Sequence, residues 1–113
     1  MTTGELTAWL SAFLLTQAVE TPIYARCLRN RRLRFAWAFG ASTWTHPCIF
    51  LLLPRIWPGD TLTYVACAEA VAVGGEAIYL AALGVSRSVA WALLANAASL
   101  GVGLISRALF QWP

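Results

Sequence analysis

The sequence predicts an all-α, four-helix transmembrane bundle. Three observations carry that reading: an apolar composition, four apolar segments of bilayer-spanning length, and charges gathered at the segment ends. Of 113 residues, 59% are hydrophobic and 12% charged, where soluble domains run nearer about 45–50% and 25%. A surface this apolar is solvated by lipid.

The segments cover residues 6–25, 35–53, 62–83 and 89–110, each near the roughly 20 residues that cross a hydrocarbon core. Between them lie breakers: an arginine-rich stretch from Arg26 to Arg34, then Pro54 to Asp60, then Gly84 to Ser88. These loops are too short for a second domain, so residues 1–113 are expected to form one integral membrane domain.

Segment one resembles a signal peptide in length, but Glu5 and no basic residue precede it, its charges follow the apolar run, and no small-residue cleavage site precedes Arg26. It reads as a retained anchor. It carries Glu20 near its inner end, and Pro22 denies a hydrogen bond to the Ala18 carbonyl, which marks a helix break.

Segment two contains His46-Pro47, and a proline there kinks the helix at mid-depth. Segment three carries Glu69 and Glu76, seven positions apart and so on one helix face. Segment four repeats small and polar residues, Ala92, Asn96, Ser99, Gly103 and Ser106, at helical spacing. That stripe suits close helix packing.

Every basic residue is an arginine, which excludes lysine Schiff-base chemistry. Arg26, Arg29, Arg31, Arg32, Arg34 and Arg87 fall in the first and third loops, against Arg55 and Arg107 elsewhere. The positive-inside rule then places both termini outside the cytoplasm, and a bacterial inner membrane is the expected location. Trp9, Trp57 and Trp112 would mark the outer interface, Trp37 and Trp91 the inner one. The cluster Arg26 to Arg34 reads first as this topology signal, with an anionic-lipid or phosphate site as its functional alternative; nucleic acid is not an expected partner.

Carboxyls at bilayer depth are costly and are functional candidates by default. Counting depth along the helices puts His46 level with Glu69, and Glu76 level with Asn96, with Arg107 within reach of Glu69. With Glu20 these residues make a polar ladder. Glu69 and Glu76 lie about 10 Å apart along their helix, too far to share a proton. His46, Glu69 and Glu76 have zinc or iron ligand types, but the HExxH and ExxH spacings are missing; hydrogen-bonded neutral groups fit better. A short echo relates Glu20-Thr-Pro-Ile-Tyr24 to Glu76-Ala-Ile-Tyr79, as a duplicated hairpin would.

Cys27, Cys48 and Cys67 form no CxxC pair, and neither a GxSxG elbow nor a phosphate loop occurs. No catalytic residue and no cofactor is therefore assigned. Ion- or proton-coupled transport by a homo-oligomer is the leading expectation. The alternatives are a non-catalytic subunit or assembly factor of a membrane complex, and an intramembrane enzyme using Glu and His. In length, four-span layout and an acidic residue on helix one, the chain resembles the small multidrug resistance transporters. It lacks their lysine after that glutamate and their helix-three motif, so no residue role is carried over.

Overall fold

A computed structural model describes residues 2–53 and 59–112, and among these the chain is wholly helical. Helix α1 spans Thr3–Cys27, α2 spans Arg34–Pro47 and runs on through the π-helical turn Cys48–Leu52, α3 spans Thr61–Ala82, and α4 spans Ser88–Phe110. Trp57 and Arg55 lie outside the described residues.

Local chemistry sets the boundaries. Helix α1 starts ahead of its apolar run because Thr2 and Glu5 form a capping box: the Glu5 amide donates to Thr2 Oγ1 (3.1 Å) and the Thr2 amide to Glu5 Oε2 (2.7 Å). Asp60 caps α3 by accepting from the Thr63 amide at 2.7 Å. Both carboxyls are held below the ordinary range, chiefly by those backbone hydrogen bonds. Helix α3 ends in a Schellman turn, with the Gly84 amide donating to Ala81 (2.9 Å) and the Val85 amide to Leu80 (3.0 Å). Gly84 takes the left-handed backbone this needs, φ 83°.

The interruption at Pro47 falls where the sequence puts it, and its form is a widened turn: the Leu53 amide reaches back five residues to the Cys48 carbonyl. Tyr64 Oη on α3 donates to the Ile49 carbonyl at 3.1 Å, supporting the irregular backbone. Pro22, by contrast, breaks nothing. Helix α1 continues through it to Cys27, losing one hydrogen bond without ending.

The helices form a ring in which α1 and α3 each pack against both α2 and α4. Close approach comes from small residues: Ala38, Ala41, Ala68, Ala72, Ala77, Ala92 and Ala95 are all buried. A methyl on Gly75 would sit 2.9 Å from Thr45 Cγ2 and 3.0 Å from the Trp44 ring, so α3 lies hard against α2 just before Glu76. Gly40 likewise leaves room for Tyr79, whose hydroxyl donates to the Trp37 carbonyl at 2.7 Å. Tyr24, Leu28 and Leu80 are the large apolar exceptions inside, and they pack with Ala25, Ala38 and Ala95 at the end of the bundle where α1 and α3 terminate.

The distribution of polarity is inverted relative to a soluble bundle. Gln17, Glu20, Ser42, Thr45, Glu76 and Asn96 are buried, while Leu14, Leu62, Ile78, Leu104 and Leu109 are among the large residues facing out. Helices α3 and α4 are long and apolar enough to cross a membrane, and only 22% and 17% of their apolar windows are buried. A soluble core helix would be mostly buried.

Candidate functional site

Glu20 on α1 and Glu76 on α3 meet at the centre of the ring, each 1% exposed. Glu20 Oε1 accepts from Ser42 Oγ on α2 at 2.5 Å, and its Oε2 accepts from Ser99 Oγ on α4 at 2.5 Å. Glu76 Oε1 accepts from Asn96 Nδ2 on α4 (3.1 Å) and Tyr24 Oη on α1 (2.5 Å), and its Oε2 from Thr45 Oγ1 on α2 (2.8 Å). Both carboxyls line one and the same cavity. All four helices thus meet on two acids.

This arrangement corrects the expected ladder. Depth counting that ends helix one at the first arginine, Arg26, separates Glu20 from Glu76. The helix in fact runs on to Cys27 with Leu28 as its cap. From their caps, Glu20 and Glu76 lie at nearly the same level: eight residues before Leu28 and seven before Leu83. An arginine in the last turn bends its long side chain toward the interface, so the first charge is not the border.

The site has a local two-fold pattern that the sequence contains in a form easily passed over. Ala36-Trp37-Ala38 recurs as Ala90-Trp91-Ala92, 54 positions later, and the same offset carries Ala41 to Ala95, Ser42 to Asn96 and Thr45 to Ser99. In space the correspondence is functional. Ser42 bonds Glu20 within the first hairpin as Asn96 bonds Glu76 within the second, and Thr45 reaches across to Glu76 as Ser99 reaches across to Glu20. The backbone repeats it too, since Leu33 (φ 59°) and Arg87 (φ 57°), the residues just before α2 and α4, are both left-handed. The tyrosines break the pattern: Tyr24 follows Glu20 by four and reaches Glu76, whereas Tyr79 follows Glu76 by three and turns to Trp37.

A cavity of about 110 Å³ adjoins the pair, lined by both carboxyls, Glu69, His46, Asn96 and the four hydroxyl residues Thr16, Ser42, Thr45 and Ser99. That is room for roughly three waters at liquid density. A shallower groove of about 260 Å³ shares Thr16, Glu69 and Ser99 with it and extends between α1, α3 and α4 past Gly103 to Arg107. Glu69 therefore stands at the junction of cavity and groove, and Arg107 at the far end.

His46 departs from its expected pairing with Glu69. It lines the same cavity, but its ring packs edge-on against Phe13 (5.5 Å between centroids) and near Trp9 (6.2 Å), and Nδ1 is buried without a hydrogen-bond partner. Among the described residues, no three His, Cys, Asp or Glu side chains gather as a metal ion would require, so the His46, Glu69, Glu76 ligand set is not assembled. Cys27, Cys48 and Cys67 are free thiols.

Besides Ser42 and Thr45, the sequence motifs do not single out Gln17. It is buried, and its Nε2 donates to the Phe39 carbonyl (3.0 Å) and Thr43 Oγ1 (3.3 Å) while its Oε1 accepts from Thr21. Only the 54-residue offset would have pointed to Ser42 and Thr45. Gln17 carries no comparable signal, whereas Tyr24 is marked by the short echo that sets it beside Glu20.

No family model, no curated protein and no solved structure matches this chain.

Proposed function

We propose that the chain crosses a membrane four times with both termini outside the cytoplasm, and that an oligomer of it carries out proton-coupled ion or solute transport through the Glu20–Glu76 centre. The inverted polarity supports the membrane placement, since water would have to cover the outward Leu and Ile side chains of all four helices while their polar groups were spent inside. The long dimension, 39 Å, suits a bilayer of about 40–45 Å with its interfaces. α1 and α2 are read as spans because Gln17, Glu20, Ser42 and Thr45 turn inward, where lipid does not meet them.

One observation carries the transport reading: two buried carboxyls share a centre that adjoins a polar cavity, and a groove continues from that cavity past Gly103 to Arg107. The donors around them are neutral hydroxyl and amide groups. Two adjacent carboxylates so placed cannot both remain ionised, so the pair holds a proton. Glu69 gives that proton a stepping stone toward the groove and Arg107. On the inner side Tyr24, Leu28 and Leu80 bar the way, and Tyr24 is itself bonded to Glu76. Such a centre is closed to one side while it exchanges with the other, as alternating access needs.

Reconstituted into liposomes, the wild-type chain is expected to take up protons under an imposed gradient, and Glu76→Gln to abolish the uptake. Unchanged uptake in Glu76→Gln would overturn the reading.

A structural role is favoured by one feature, that all four carboxyl oxygens accept a hydrogen bond and so brace the four helices. Each such bond is worth only about 0.6–2 kcal/mol in a membrane. Under this subunit reading, Gln replacements lower thermal stability and leave no activity to lose.

A further inference from the structure

We propose that the inner face carries a binding site for a phosphate-bearing anion, of the kind a phospholipid headgroup presents, in the cavity between the two inner loops. The cavity measures about 650 Å³ and is lined by Arg26, Arg29 and Arg31, with Asn30 and Ser86 as neutral donors and Trp91 at its apolar side. It is separate from the glutamate centre and independent of the transport reading.

The loops carry no acid. Neither residues 26–34 nor 83–88 contain Asp or Glu, and no carboxylate lines the cavity. Three arginines therefore line one open space with no carboxylate beside them, an arrangement that favours an anion. Topology signalling needs arginines in a loop; it does not need them around a concavity.

The cavity is also held in shape. Arg31 Nη2 donates to the Leu83 carbonyl at 3.1 Å, tying the first loop to the third, and its guanidinium lies 5.5 Å from the Trp37 ring centre. Gly84 supplies the left-handed turn that carries the opposite wall. The partly buried Trp91 supplies an amphipathic ring at the level where a headgroup meets its acyl chains. Phosphate is the anion of choice because forked guanidinium donors match its oxygens in pairs.

The test titrates phosphatidylglycerol into phosphatidylcholine bilayers holding the full chain and follows thermal unfolding. A second arm titrates inorganic phosphate with phosphatidylcholine alone. A saturable rise in unfolding temperature with the lipid only assigns the site to a headgroup; a rise with inorganic phosphate as well admits a soluble source. Each cavity arginine near the surface contributes about fivefold in affinity, so half-saturation moves up roughly fivefold in Arg26→Gln and further in Arg26→Gln/Arg29→Gln. Arg34→Gln and Arg87→Gln, outside the lining, leave it in place. No saturable response in either arm, or an equal loss in the outside variants, overturns the proposal.

Discussion

At the scale of the residue, the centre is two acids served by paired donors, and the pairing makes a quantitative demand. Thr45 and Ser99 hold corresponding places on α2 and α4 and bond opposite glutamates. Thr45→Val and Ser99→Ala each remove one such hydroxyl, and each is expected to lower stability by about 0.6–2 kcal/mol, readable as similar falls in unfolding temperature. A large effect from one and none from the other would show that the two-fold correspondence is formal. Glu69, Glu76, His46 and Asn96 were all legible in the sequence as polar residues set within apolar segments. Their partners were not, because serines and threonines in a helix also bond their own backbone and only three-dimensional placement separates the two uses. Thr45 does both.

At the scale of the element, α2 and α3 test the packing. Gly74 and Gly75 look alike in sequence, yet a methyl at Gly74 meets nothing within 4 Å whereas one at Gly75 meets Thr45 and Trp44. Gly74→Ala is expected to be neutral or stabilising by up to about 1 kcal/mol through helix propensity. Gly75→Ala is expected to cost about 1–3 kcal/mol, by displacing the wall that holds Thr45 to Glu76. Comparing the two unfolding temperatures checks this. The start of α3 answers to pH instead: the Asp60 carboxyl is depressed by the Thr63 amide, so its stabilisation is present above the ordinary aspartate value of about 3.9 and is lost as pH falls through the lower folded value. Hydrogen exchange at the Thr63 and Tyr64 amides should quicken over that acidic window and in Asp60→Ala at neutral pH. The four helices and the Pro47 irregularity were readable from apolar length and breaker residues. The π-helical form of that irregularity was not, since nothing in the apolar run Cys48–Leu52 marks it and its support from Tyr64 comes from another helix.

At the scale of the whole molecule, the proposed orientation puts the arginine loops inside and the open end of the groove outside. In intact cells, an impermeant thiol reagent should therefore spare Ser86→Cys, in a background lacking the native cysteines, and label Gln111→Cys. Labelling of the first without the second would reverse the topology and turn the groove toward the cytoplasm. The central claim is that Glu20 and Glu76 form one proton-holding unit. It is tested most directly by proton uptake into liposomes bearing wild type, Glu20→Gln, Glu76→Gln and the double variant, each checked for folding by its helical content. A unit predicts that either single replacement abolishes uptake as fully as both together. Partial losses that add in the double variant, or uptake that survives it, would contradict the account.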